Sequence, residues 1–151
     1  MPVSTERPSI LVVDDEPFNL SLMDEILKTH YNVQTANNSL KAIELAFADP
    51  PDLILLDVMM PEMDGFEVCR RLMNNPATSQ IPVIFVTAKN EIKDEELGFQ
   101  VGASDFIHKP ISAPIVAARV KAHLKIKFMQ DYLRRENTQT VMRSYFWLRA
   151  A

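Results

Sequence analysis

Along the chain, short uninterrupted apolar runs alternate with longer stretches in which apolar residues return every third or fourth position. The runs Ile10-Leu-Val-Val13, Leu53-Ile-Leu-Leu56 and Pro82-Val-Ile-Phe-Val86 are too short for helices and lack polar alternation, which predicts strands buried on both faces. Residues 31–36 alternate as a further strand, and Asp105-Phe-Ile-His108 reads as a short fifth. Between them lie the helical patterns. Pro17 suits a first turn, and Leu20, Met23 and Leu27 carry that helix through about Thr29. Leu40, Ile43 and Phe47 mark a second helix, closed by Asp49-Pro-Pro-Asp52. Phe66, Cys69, Leu72 and Met73 give a third, running to Asn74. A more polar helix spans about residues 91–101 with Gly102 as its cap, and Ser112 caps a last one in which Ile115, Ala118 and Ala122 are expected to face inward.

Five strands alternating with five helices predict an α/β fold: a doubly wound, five-stranded parallel sheet covered on both faces. Ligands in such folds bind beyond the carboxyl ends of the strands, where strand order reverses. Strands one, three, four and five end at Asp14-Asp15, Asp57, Thr87 and Lys109, so all of these arrive at one edge. Asp57 is the most pointed of them. It ends a fully apolar strand and is followed within eight residues by the turn formers Pro61 and Gly65, a poor place for an acid on stability grounds and a good one for chemistry.

The composition narrows the class. At 151 residues, 47% of them apolar and 24% charged, the chain has the make-up of one globular domain with an appendage. A single cysteine, Cys69, excludes a disulfide framework and cysteine metal sites. With no basic-then-apolar leader pattern and no apolar run of spanning length, a cytoplasmic location is expected. The net charge of -4 conceals an asymmetry: residues 1–118 sum to -10 and residues 119–151 to +6. Because the basic residues are scattered rather than gathered on one face, they predict a solvated helix, with neither direct nucleic-acid binding nor membrane attachment.

Three carboxylates meeting at one crevice repel each other by roughly 4 kcal/mol per pair at about 4 Å and an effective dielectric near 20. A hard divalent cation with oxygen ligands relieves this, and Mg²⁺ suits a site of a few carboxylates, a carbonyl and waters. Lys109 can then meet an anion brought by the metal, and the Thr87 hydroxyl can donate to it. Such a set is fitted to move a phosphoryl group onto Asp57, since that transfer is catalysed mainly by positioning and charge neutralisation. Taken singly, each residue also has a plainer role: an Asp after a strand is often a turn or helix cap, and Phe106 is more often core. His30, His108 and His123 have no metal-ligand spacing.

The motifs Val-Val-Asp14-Asp15-Glu16, Leu-Leu-Asp57-Val-Met-Met-Pro61-Glu-Met-Asp-Gly65, Val-Thr87-Ala88 and Gly102-Ala-Ser-Asp-Phe-Ile-His-Lys109-Pro110 together resemble the receiver domain of bacterial two-component response regulators. The resemblance covers residues 9 to about 124 and implies a flavodoxin-like sheet in strand order 2-1-3-4-5. It also implies that Asp57 accepts phosphate from a sensor histidine kinase or phosphotransfer protein. Asp14, Asp15, Asp57 and the backbone carbonyl of Met59 would hold Mg²⁺, and Thr87 with Phe106 would form a switch pair. Lys109 would bind phosphoryl oxygens, with a cis peptide before Pro110. Phenylalanine at 106, where the family often has tyrosine, leaves burial alone to favour the inward ring. Met59 and Lys89 occupy positions that in the family tune acyl-phosphate hydrolysis. An Asp-x-Asp phosphatase is the enzymatic alternative, but Met59 stands where its second acid would be. A phosphorylation-independent adaptor or dimerisation module also fits.

Past Ala122 the last helix meets no stop, since Leu124, Phe128 and Tyr132, and separately Ile126, Met129 and Leu133, continue its pattern. Heptad spacing then reaches Glu136 and Thr140, so no sustained coiled coil is predicted. The expected organisation is a flexible arm at 1–8, a receiver domain at 9–124 and a helical extension at 125–151 without an output domain. A homodimer through the fourth helix, fifth strand, fifth helix and tail is one expected use of that extension. The aromatic cluster Tyr145, Phe146 and Trp147 has no assigned partner. The segment Ile115-Val-Ala-Ala-Arg-Val-Lys-Ala-His-Leu124 resembles the join between receivers and cyclic-di-nucleotide enzymes, which allows the chain to be a fragment of one.

Overall fold

The apolar runs form the centre of a five-stranded parallel sheet. A computed structural model describes residues 6–88 and 92–150, with side chains except at Ile92 and beyond residue 136. Its elements are β1 (Ser9–Val13), α1 (Pro17–Leu27), β2 (Asn32–Ala36), α2 (Ser39–Ala48), β3 (Leu53–Asp57), α3 (Gly65–Met73), β4 (Val83–Thr87), α4 (Ile92–Gln100), β5 (Asp105–His108) and α5 (Ala113–Ala150). The strand order is β2-β1-β3-β4-β5, as expected. Every residue of β3 and of β4 is buried, whereas the edge strand β2 buries only Ala36 fully.

Alternation along the strands divides the core into two layers. Ile10, Val12, Leu53, Leu55, Ile84, Val86 and Ile107 face Met23 and Leu27 of α1 and Val116, Val120 and Leu124 of α5. Leu11, Val13, Ile54, Leu56, Val83, Phe85 and Phe106 face α2 and α3, including Ala42, Ala46, Val68, Cys69 and Leu72. The sheet is thereby covered on both sides, and strand order reverses between β1 and β3. The crevice beyond the ends of those two strands is where this topology places a ligand.

Helix ends follow the local chemistry. Asn38 and Asp64 accept the Lys41 and Glu67 amides at 2.8 and 3.0 Å, capping α2 and α3. Gly102 takes a φ of 107° after α4, and its amide donates to the Phe99 carbonyl at 3.1 Å. Ser112 directly precedes α5, its carbonyl accepting the Val116 amide at 3.0 Å.

The facing of α5 needs correction. Ile115, Ala118 and Ala122 face outward, with Ile115 47% exposed, while Val116, Val120 and Leu124 are buried. Both sets have helical spacing; turning two valines and a leucine inward removes more apolar surface from water than an isoleucine and two alanines. In α2 the large residue Leu40 is 63% exposed and the small Ala42 and Ala46 are buried, letting the helix approach closely. Just before β1, Asn32 N donates to the Pro8 carbonyl at 2.9 Å and Arg7 Nη1 to the Lys28 carbonyl at 3.1 Å. Lys89, residues 1–5 and the side chains of Tyr145, Phe146 and Trp147 lie outside the described residues.

Candidate functional site

Each acid arrives at the sheet edge because an apolar strand stops there. Asp57 is the last residue of β3 and only 3% exposed; Asp14 follows β1 directly and is 4% exposed. Their fixed positions come from backbone bonds. Asp14 N donates to the Ala36 carbonyl at 3.2 Å, and the Asp14 carboxylate accepts Glu16 N at 2.9 Å. Met59 N donates to Asp57 Oδ1 at 3.4 Å. Asp14, Asp15 and Asp57 each bring a carboxylate oxygen within 4.8 Å of the others.

Lys109 reaches the cluster from the end of β5. Its Nζ lies 3.2 Å from Asp14 Oδ2 and 3.5 Å from Asp57 Oδ1. The chain is set for this by Lys109 N, which donates to the Thr87 carbonyl at 2.9 Å and ties the ends of β4 and β5 together. The Lys109–Pro110 peptide is cis. Thr87, at the end of β4 beside β3, is 1% exposed.

The electrostatics are those of one cation among three anions. Burial pushes the Asp57 carboxyl up to about 6, with Asp14 and more weakly Asp15 adding to the rise and Lys109 and the Met59 amide opposing it. For Lys109, burial works against the ammonium, but Asp57 and Asp14 more than offset it and the pKa is raised. Oxygen-only donors, like-charged and close together, fit a hard divalent ion such as Mg²⁺, which would bring two charges to a site that has one.

Phe106 stands apart from this cluster. It pairs with Phe85 across β4 and β5, and its ring lies 5.4 Å from both the Phe85 and the Phe99 rings, leaving it 6% exposed. One contributor was not singled out as a site residue in the sequence. A Cβ on Gly65 would stand 2.3 Å from the Asp57 carbonyl oxygen, and Gly65 N donates to the Val58 carbonyl at 2.9 Å, so α3 begins hard against the strand end that presents Asp57. The Asp64-Gly65 pair was legible only as a turn. Among the histidines, His123 Nε2 lies 2.9 Å from Asp105 and His108 Nε2 lies 3.1 Å from Glu95.

The chain belongs to the response regulator receiver domain family, whose model matches residues 10–121. It is 45% identical over 126 residues to the response regulator PleD of Caulobacter vibrioides, covering 83% of this chain and 28% of PleD. It is also 43% identical over 129 residues to a Vibrio cholerae protein named as a probable cyclic di-GMP phosphodiesterase, covering 85% of this chain and 29% of that one. The chain therefore spans under a third of either relative. Among solved structures it resembles the receiver domain of a signal transduction histidine kinase from Syntrophus aciditrophicus, with a TM-score of 0.72, 37% identity and coverage of 78% of this chain and 90% of that one. The BeF3-activated N-terminal receiver domain of Klebsiella pneumoniae RstA gives a TM-score of 0.71 at 32% identity, covering 77% and 97%. No helix among the described residues is long and apolar enough to cross a membrane.

Proposed function

We propose that this receiver is a phosphoacceptor switch, taking a phosphoryl group on Asp57 from a sensor histidine kinase or phosphotransfer protein in a Mg²⁺-dependent reaction. The observation that carries this reading is the convergence of three carboxylates within 4.8 Å with Lys109 bridging two of them. Asp14, Asp15, Asp57 and the Met59 carbonyl would hold the ion, which when bound neutralises charge on the carboxylates and the incoming phosphoryl oxygens. An Asp57 carboxylate oxygen attacks phosphorus; the new O–P bond forms as the bond to the donor's leaving atom breaks, and the donor keeps that electron pair. Lys109 turns its ammonium to the transferred oxygens, and Thr87 donates its hydroxyl to them. The same groups support slow self-dephosphorylation rather than turnover of external substrates, since the position two residues after Asp57 is Met59 and supplies no acid. The receiver occupies residues 9–124, residues 125–151 form a helical extension, and the protein works in the cytoplasm where such donors act.

The output surface we favour is α4, β5 and α5, where Leu97, Phe99 and Ile115 are 37%, 52% and 47% exposed and where Ile126, Met129 and Leu133 continue along α5 at 51% to 57%. A second copy is its simplest occupant, and sedimentation with and without beryllofluoride tests it. Similarity to PleD and to the Vibrio cholerae protein favours a second reading, in which this chain is the input module of a cyclic-di-nucleotide signalling protein. The experiment for the principal reading is incubation with acetyl phosphate and Mg²⁺. It should yield an acid-stable, hydroxylamine-labile adduct that EDTA prevents; an unchanged intact mass would sink the proposal.

A further inference from the structure

Glycine within a helix weakens it, so Gly98, in the last turn of α4, calls for a reason. Its surroundings supply one. A Cβ on Gly98 would lie 2.3 Å from Cζ and 2.8 Å from Cε2 of Phe106, and 3.3 Å from Cδ2 of Phe85. The first two separations are far inside carbon–carbon contact. The Phe106 ring is held from the sheet side. Its backbone is fixed in β5 opposite Phe85, the Phe85 ring packs on it, and the Phe66 ring stands 5.2 Å behind Phe85. A side chain at position 98 and the inward ring at 106 therefore compete for one space.

That space opens onto a surface. Gly98 is flanked by Leu97 and Phe99, 37% and 52% exposed, and the Phe99 ring meets the Phe106 ring edge-on at 5.4 Å. Where the Phe106 ring stands thus decides how closely α4 lies on the sheet and how Leu97 and Phe99 are presented. We propose that Gly98 is the positioning residue for the Phe106 ring: its missing Cβ leaves the space in which the ring seats inward beneath α4, and a side chain at 98 would drive the ring out of it. The signalling role of the seat rests on the phosphoacceptor reading; the seat itself does not.

The test is a mutant cycle on the whole chain with ring-¹³C-labelled phenylalanine, the Phe106 signals being assigned by their loss in Phe106→Leu. Gly98→Ala should move the Phe106 signals and raise their broadening by a soluble paramagnetic chelate several-fold. It should lower the Tm in the parent chain and raise it in the Phe106→Leu background, where the atoms facing position 98 are gone and only the better helix propensity remains. A Gly98→Ala chain that folds only when Phe106→Leu is also present is the same reversal in extreme form. A Tm change of one sign in both backgrounds, unmoved Phe106 signals, or failure of both chains to fold would overturn the assignment. Acetyl phosphate labelling is measured alongside: a parent chain that is not labelled refutes the phosphoacceptor reading and leaves the result of the cycle standing.

Discussion

Replacing Asp57 with Asn should stabilise the metal-free protein at neutral pH. The Asp57 carboxyl is raised from 3.8 to about 6, burial being the largest cause. In the unfolded chain it ionises at its ordinary value, so as pH rises from about 4 to about 6 the unfolded state releases a proton that the folded state retains. Folded-state stability therefore falls through that window and stays reduced above it. A shift of about two units corresponds to about 3 kcal/mol. The same order follows from the charges, because two carboxylates within 4.8 Å repel by about 3.5 kcal/mol at an effective dielectric near 20, before Lys109 offsets part of it. Asparagine keeps the shape and removes the charge, at the loss of the Lys109 contact at 3.5 Å; Lys109 retains Asp14 at 3.2 Å. Urea unfolding in EDTA should show Asp57→Asn more stable than the parent by about 1–3 kcal/mol at pH ~8, with the gain vanishing near pH ~3, below the ordinary carboxyl value, where Asp57 is protonated in both states. A variant no more stable at pH ~8, or a gain equal at both ends, would refute this reasoning.

Further outcomes follow from the same geometry. Saturating Mg²⁺ should raise the parent Tm and do so much less in Asp14→Asn, a hundredfold excess over Kd being worth about 2.7 kcal/mol, as read by thermal melts across a Mg²⁺ series. Gly65→Ala forces a Cβ to 2.3 Å from the Asp57 carbonyl oxygen and should cost about 2 kcal/mol or more in urea unfolding while slowing acetyl phosphate labelling. Cys69 is buried and its thiol is pushed up to about 12, chiefly by that burial, so it should react with a thiol reagent only at the rate of unfolding; rapid native-state reaction would contradict its place on the buried face of α3.

How much of this was legible in the sequence differs by element. The three apolar runs and the short fifth strand read as strands, and the polar residues following them share an edge once the sheet is parallel, so that Asp14, Asp15, Asp57 and Lys109 come to one edge was legible in the pattern. The facing of α5 did not follow, because Ile115, Ala118 and Ala122 and Val116, Val120 and Leu124 are both apolar at helical spacing; only packing on Ile10, Leu53 and Ile107 decides between them. Leu40 marked α2 by its spacing without telling which face is buried: Leu40 is exposed, and the small Ala42 and Ala46 are the buried residues. Gly65 and Gly98 were opaque, since what a missing Cβ makes room for is a contact between elements and leaves no trace in local spacing. The Lys127 contact to Asp52 at 3.5 Å is likewise tertiary and ties the start of the helical extension to the body, whereas its contact to Asp131 at 2.9 Å is an i,i+4 pair within α5.

That extension and the exposed face of α4 concern how a signal leaves; Asp57 concerns how it enters, and there the account can be tested at one atom group. Borohydride reduces an aspartyl phosphate to homoserine. After incubation with acetyl phosphate and Mg²⁺ and trapping in this way, peptide mass spectrometry should find homoserine at position 57 and nowhere else. Homoserine at Asp14 or Asp15, or a phosphorylated protein that yields none at position 57, would contradict it.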